Sequence, residues 1–198
     1  LINWFNFELL EWVAIITTFI YNYLLTREKI SCWIFGIFSS VAGCILFADK
    51  QLWGQLVLYL FYAAMGVYGW WYWYGGVNHQ RPVKNWPAIT QILVLLCGLL
   101  FSALLIYASA SLDGIELKPL DVFITIFSLI ATYKESRKIL TGWLYWIVLN
   151  GLSTWLYMQA NLQGMAFMAA IYFFLSISGF YNWRKSYLLA KHPCKLMA

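Results

Sequence analysis

The chain has 198 residues and a net charge of +5, with 63% hydrophobic residues, 11% charged residues and a mean hydropathy of +0.69. Soluble domains carry about a quarter charged residues, so a soluble enzyme is excluded and an all-α integral membrane protein is expected. The basic residues fall between long apolar runs, not among exposed aromatics, which also excludes a nucleic-acid surface.

Seven apolar runs follow one another, at 6–26, 30–48, 52–74, 88–111, 119–134, 141–160 and 162–184. A helix of about 20 residues crosses the hydrocarbon core. The fifth run is short and starts at Pro119, a residue suited to a first helical turn. None of the runs alternates, so a membrane β-barrel is excluded. No basic segment precedes the first run, and no cleavable signal peptide is expected. Cys32, Cys44, Cys97 and Cys194 lack C-x-x-C spacing and read as small buried hydrophobes plus a reduced tail thiol.

Lys and Arg give the orientation. With the N-terminus outside, the inner segments hold Arg27, Lys29, Arg81, Lys84, Lys134, Arg137, Lys138, Arg184, Lys185, Lys191 and Lys195, which is 11 of the 13 basic residues. Only Lys50 and Lys118 fall outside, so the expectation is N-out, C-in. Six of the eight acids (Glu8, Glu11, Asp49, Asp113, Glu116 and Asp121) then lie outside.

A repeat is visible at an offset of 110. Residues 10–73 lie over 120–183 without a gap, with 13 identities in 64 positions. Apolar identities are cheap in a membrane chain, but Tyr23/Tyr133, Arg27/Arg137, Trp33/Trp143, Gly54/Gly164, Tyr62/Tyr172, Gly69/Gly179 and Trp73/Trp183 are not. The expected architecture is seven transmembrane helices grouped three, one, three. Residues 1–75 form the first repeat. Residues 76–117 hold the inner loop, a linker helix and an outer loop. Residues 118–186 form the second repeat, and 187–198 a cytoplasmic tail. Because three plus one is even, the repeats run parallel about an axis along the membrane normal, which places a binding site between them near the midplane.

Asn150 is the candidate centre of that site. Its amide has two donors and two lone pairs to satisfy, and lipid satisfies none of them. Trp143, Trp146, Asn150, Ser153 and Tyr157 recur at spacings of three and four, so they share one helix face. Their first-repeat counterparts are Trp33, Gly36, Ser40, Gly43 and Phe47. On the seventh helix Tyr172, Ser176, Gly179 and Trp183 share a face, opposite Tyr62, Gly66, Gly69 and Trp73 in the first repeat. The backbone plan is symmetric and the polar decoration is not, which suits an asymmetric small molecule. Thr125 and Ser128 add hydroxyls on the fifth helix, although hydroxyls readily bond their own helix. The competing structural readings are plain. Glycines such as Gly36, Gly43, Gly54, Gly66, Gly69, Gly164 and Gly179 serve close packing. Trp4, Trp12, Trp53, Trp86 and much of Trp70–Tyr74 form interfacial belts. Asn150 itself would serve as interhelical glue.

No Asp, Glu, Lys, Arg or His stands at the centre of any run, and His79 and His192 fall in inner segments. Zinc sites, a Ser–His pair at depth and a proton-relay carboxylate are therefore not expected. Neither enzyme activity nor any cofactor or metal is indicated. Glu11 and Asp121 stand near the outer mouth and read as solvated helix starts. Aromatic faces with a neutral amide suit a flat ring bearing hydroxyls, and Trp faces attract a delocalised cation.

Three motifs then converge. They are Gly142-Trp143-x-x-Trp146-x-x-x-Asn150, the loop Asn161-x-Gln163-Gly164 with its counterpart Gln51-x-Trp53-Gly54-Gln55, and Tyr181-Asn182-Trp183-Arg184. Together they resemble the PnuC family of bacterial vitamin transporters over residues 8–186. The resemblance implies facilitated diffusion of nicotinamide riboside across the bacterial inner membrane, in a homotrimer. It implies trapping by a cytoplasmic kinase, and substrate contacts from Trp146, Asn150 and Trp183. The full candidate set is Trp146, Asn150, Trp183, Tyr172, Ser176, Trp143, Ser40, Tyr62 and Ser128. Thiamine, riboflavin or a small sugar on the same frame are the alternative cargoes. A seven-helix receptor would need a mid-helix Schiff-base lysine, and the seventh run has only Lys185 at its end. A purely structural membrane protein is the remaining alternative.

Overall fold

The computed structural model describes residues 7–75, 81–110 and 118–191. Trp4, His79, Asp113, Glu116, His192, Cys194 and Lys195 lie outside the described residues. Seven helices are present: α1 (Phe7–Thr26), α2 (Cys32–Asp49), α3 (Trp53–Tyr74), α4 (Ala88–Ala110), α5 (Pro119–Ser136), α6 (Gly142–Gln159) and α7 (Gln163–Lys191). Four of them, α1, α2, α4 and α7, are long and apolar enough on their own to cross a membrane. Pro119 opens α5 in its first turn, as expected.

Two ends differ from the expected runs. The α5 helix continues past Lys134 to Ser136, because a charged pair does not stop a helix whose backbone bonds continue. The α7 helix runs to Lys191, into the expected tail, because no Gly or Pro interrupts the sequence between Gly179 and Pro193.

The helices close into a ring. The α1 helix packs on α2, α2 on α3, α3 on α5, α5 on α6, α6 on α7, and α7 back on α1. The α4 helix packs outside, against α5, where Gly98 admits the Phe127 ring: a Cβ there would meet it at 2.9 Å. Its outer face, with Ile92, Leu96, Leu100 and Leu104, is exposed and suits lipid.

Helix ends recur at the same offset of 110. The spans of α2 and α6, 32–49 and 142–159, superpose in sequence, as do the starts of α3 and α7 at 53 and 163. Among the described residues, four that are not glycine adopt left-handed backbone: Glu28 and Lys138 after α1 and α5, Gln51 and Asn161 after α2 and α6. At each, the next amide reaches back five residues, as in Lys29 N to Leu24 O (3.1 Å) and Ile139 N to Lys134 O (2.9 Å). This closure satisfies carbonyls that a helix end leaves open.

The largest buried side chains are four tryptophans, Trp33, Trp73, Trp143 and Trp183. Their rings form a chain of edge-on and tilted contacts, with centroids 5.5 Å apart for Trp33–Trp73, 5.8 Å for Trp73–Trp183 and 5.5 Å for Trp143–Trp183. Each half supplies a glycine to receive a ring. A Cβ on Gly69 would lie 2.5 Å from Trp33, and one on Gly179 2.6 Å from Trp143. Two indoles also tie the halves together. Trp73 Nε1 donates to Ser136 O at the end of α5 (3.1 Å), and Trp183 Nε1 to Leu25 O at the end of α1 (2.9 Å). Beside this cluster, Lys84 pairs with the α5–α6 turn through Lys84 N to Lys138 O (3.0 Å) and Leu140 N to Lys84 O (2.9 Å). Cys32, Cys44 and Cys97 are all free thiols.

Candidate functional site

A cavity of about 200 Å³ lies inside the ring. Every helix of the ring contributes to its wall. The α1 helix gives Thr18, Tyr21 and Asn22, while α2 gives Trp33, Gly36, Ser39 and Ser40. The α3 helix gives Tyr59, Tyr62 and Gly66, and α5 gives Thr132 and Glu135. Trp146 and Asn150 come from α6, and Tyr172 from α7. The spacings explain the convergence. Tyr59, Tyr62 and Gly66 share one face of α3, Trp146 and Asn150 are one turn apart on α6, and both patterns repeat at three or four residues.

Asn150 is the ninth of the 18 residues of α6. Its Nδ2 donates to Ser176 Oγ at 3.1 Å, and Ser176 Oγ in turn donates to Tyr172 O at 2.7 Å. This fixes the amide with its carbonyl oxygen unpaired among the described residues, in a wall of the cavity. An amide held in that way presents an acceptor of known direction to a ligand. Tyr62 is held similarly. Ser128 Oγ donates to Thr125 O (2.8 Å), so its lone pair accepts the Tyr62 hydroxyl proton at 3.0 Å. Ser40 bonds its own helix, donating to Gly36 O at 2.7 Å. Two indole N–H groups of the wall, those of Trp33 and Trp146, have no hydrogen-bond partner among the described residues. An orphaned buried donor costs free energy unless a ligand or water satisfies it.

The structure brings Trp146, Asn150, Tyr172, Ser40 and Tyr62 to the wall, and sets Ser176 and Ser128 one hydrogen bond behind it. It does not bring Trp143 and Trp183 there. Both are buried in the tryptophan cluster, and Trp183 spends its donor on Leu25 O. Of the four clustered tryptophans, Trp33 is the one that reaches the cavity, tilted against Tyr21 with ring centroids 5.8 Å apart.

Several wall residues were absent from the candidate set. Tyr59 could have been found by its phase with Tyr62 and Gly66. Glu135 could have been found too: Ser128, Thr132 and Glu135 stand at i, i+4 and i+7 on α5. Closing the fifth run at Lys134 hid it. Glu135 is 2% exposed, and its stem passes Gly142, whose added Cβ would lie 3.5 Å from Glu135 Cγ. Tyr21 has no sequence signal beyond its helix phase, since its counterpart is Ala131.

No group of three or more metal-ligating side chains occurs among the described residues. The wall therefore offers two amides, those of Asn22 and Asn150, with hydroxyls, ring faces and one carboxyl. It can bind and orient a small polar aromatic molecule, and it presents no activated nucleophile.

Comparison with known proteins agrees in class. The profile of the nicotinamide mononucleotide transporter family matches residues 8–185. The nicotinamide riboside transporter PnuC of Escherichia coli K12 is 24% identical over 191 residues, covering 82% of this chain and 80% of the relative. The protein of the same name from Haemophilus influenzae is 28% identical over 175 residues, covering 82% and 73%. The crystal structure of the vitamin B3 transporter PnuC has the same fold, with a TM-score of 0.74 at 22% identity, covering 91% of this chain and 82% of that one. With six of its seven helices ringed about a cavity and a family match over residues 8–185, the chain belongs to the nicotinamide mononucleotide transporter family, the family of the PnuC proteins.

Proposed function

We propose that the protein is a uniporter that carries nicotinamide riboside into the cytoplasm by facilitated diffusion. The observation that carries this reading is the cavity itself, where a fixed amide and several hydroxyls stand among aromatic rings. A flat pyridinium amide fits the indole and phenol faces, and ribose hydroxyls fit Asn150, Tyr62 and Tyr172. The lining also favours the nucleoside over its phosphate ester. A phosphate calls for Arg or Lys, and the described wall has neither.

The wider reading goes with it. The α1–α3 and α5–α7 triplets are parallel repeats joined by α4, N-out and C-in, with the site near the bilayer midplane between them. The offset of 110 in helix ends and left-handed residues supports the repeats. The clustering of Arg27, Lys84, Arg137 and Lys138 at one end of the ring supports the orientation. The protein works in the bacterial inner membrane as a homotrimer, and a cytoplasmic kinase holds the riboside inside by phosphorylation.

The test is calorimetric titration of the purified protein with nicotinamide riboside, thiamine and riboflavin, followed by uptake into proteoliposomes. The riboside should bind, and its uptake should follow its own gradient after a proton ionophore is added. Heat from thiamine with none from the riboside would assign the scaffold to another vitamin. Loss of uptake with the ionophore would replace the uniporter by a proton-coupled carrier.

A further inference from the structure

Glu135 has a feature that the binding of a neutral molecule does not require. It is a carboxyl group 2% exposed, opening on the cavity, with no cation paired to it. The cations near it in sequence are committed elsewhere. Lys134 Nζ donates to Gln91 Oε1 at 2.6 Å and lies over the Tyr145 ring at 3.9 Å. Arg137 donates to the Tyr68 hydroxyl at 2.9 Å, and Lys138 pairs with Glu28 at 3.0 Å. That last contact is the single ion pair among the described residues. Removing a carboxylate from water without a counter-charge is costly, so buried acids are as a rule paired. The indole N–H of Trp146 faces Glu135 but falls outside hydrogen-bond geometry. Tyr21, Trp33 and Trp146 line the same cavity as Glu135, with the Tyr21 and Trp33 rings 5.8 Å apart. At the equivalent position in the other half stands Leu25, so the fold does not need an acid there.

We propose that Glu135 is the specificity-determining residue that reads positive charge on the ligand's ring, drawing a cationic aromatic ring to the end of the cavity nearest the tryptophan cluster. The proposal rests on the reading of the cavity as a riboside site and adds orientation to it. The charged ring lies between Glu135 and the indoles, and the sugar lies towards Asn150, Tyr62 and Tyr172. The counter-charge that the protein lacks is then supplied by its cargo.

The experiment compares two ligands that differ in ring charge: nicotinamide riboside, a pyridinium, and its reduced 1,4-dihydro form, which is neutral. Their affinities are measured on wild type, Glu135→Gln and Glu135→Asp by calorimetry. Wild type should favour the cation by roughly tenfold or more, the scale of a charge-assisted contact in a buried site. Glu135→Gln should bring the two affinities together mainly by weakening the cation, and Glu135→Asp should leave an intermediate ratio. If wild type binds both equally, the proposal is overturned. An unchanged preference in Glu135→Gln overturns it as well, because preference arising from the indole faces alone survives that change. If Glu135→Gln does not fold, the ratio in Glu135→Asp decides: an undiminished preference overturns the proposal. If wild type binds neither compound, it is the riboside reading that fails.

Discussion

The halves α1–α3 and α5–α7 share a frame and differ in what they show the cavity. Trp33 rests on Gly69 as Trp143 rests on Gly179, and the left-handed residues Glu28 and Gln51 match Lys138 and Asn161. At the wall, the equivalences break in pairs. Tyr21 lies over Gly36, while their counterparts are Ala131 and Trp146, so the ring moves from the first helix of one half to the second helix of the other. Ser40 and Gly66 correspond to Asn150 and Ser176, which turns a self-bonded hydroxyl into an amide–hydroxyl pair. Leu25 corresponds to Glu135. Tyr62 is tied to Ser128 across the halves, whereas Thr18, the counterpart of Ser128, bonds Ser39 and leaves Tyr172 untied. Packing constrains the buried frame to stay alike, because a displaced methylene is felt throughout a dense interior. The wall is free to diverge, and at Tyr21 and Gly36 against Ala131 and Trp146 it diverges by moving a ring to the neighbouring helix.

The frame should therefore fail alike in both halves. Trp73→Ala and Trp183→Ala each remove a fully packed indole and its hydrogen bond to the other half, and each should cost about 3–5 kcal/mol of stability. Thermal unfolding in detergent measures this, and a large difference between the two would break the symmetry of the frame.

The wall should fail unequally. Asn150→Ala and Trp146→Ala should each weaken riboside binding by about 1–3 kcal/mol, from a lost polar contact and a lost ring face respectively. Ser40→Ala should cost about 0.5 kcal/mol or less, since its hydroxyl already bonds Gly36 O. Calorimetry on the three variants decides, and Ser40→Ala proving the worst would overturn the account of the asymmetry. Next in size comes Tyr62→Phe, which breaks the tie to Ser128 and should lower stability by about 1 kcal/mol. Tyr172→Phe, with no hydroxyl partner among the described residues, should leave the melting temperature nearly unchanged.

Much of this was legible in the residues because the frame leaves coarse signals. Seven apolar runs gave seven helices, with ends within two residues of the runs except at α7, which extends seven residues further. The offset of 110, first visible in Trp, Gly and Arg identities, recurs in backbone conformations that no identity reveals: Glu28 and Lys138 share a left-handed turn although their charges are opposite. Asn150 was legible because an amide in an apolar run has few places to go. The wall was harder to read. Membrane helices are apolar on all sides, so sequence phase says which residues share a face but not where that face points. Trp183 and Trp33 are thus indistinguishable by pattern, and both are buried in the cluster, yet only Trp33 also borders the cavity. Glu135 was masked for the opposite reason. It stands in a Lys-Glu-Ser-Arg-Lys string that reads as loop charge, and only the continuation of α5 to Ser136 turns it inward.

Equivalence between the halves is tested most directly at the Lys138–Glu28 pair. Lys138 Nζ and Glu28 Oε2 lie 3.0 Å apart with side chains 6% and 19% exposed, and these are counterpart positions. Lys138 also lies 4.5 Å above the Trp73 ring. Glu28→Gln should cost about 1 kcal/mol, as for a partly shielded pair. Exchanging the two, Glu28→Lys with Lys138→Glu, returns the ion pair with its charges swapped. If the turns are equivalent, the new lysine at position 28 meets Trp183 as Lys138 met Trp73, and the double variant should recover most of the stability lost by either single change. A double variant that melts no higher than the singles would mean that the shared left-handed backbone does not carry a shared surrounding, and that the likeness of the halves ends at the helix caps.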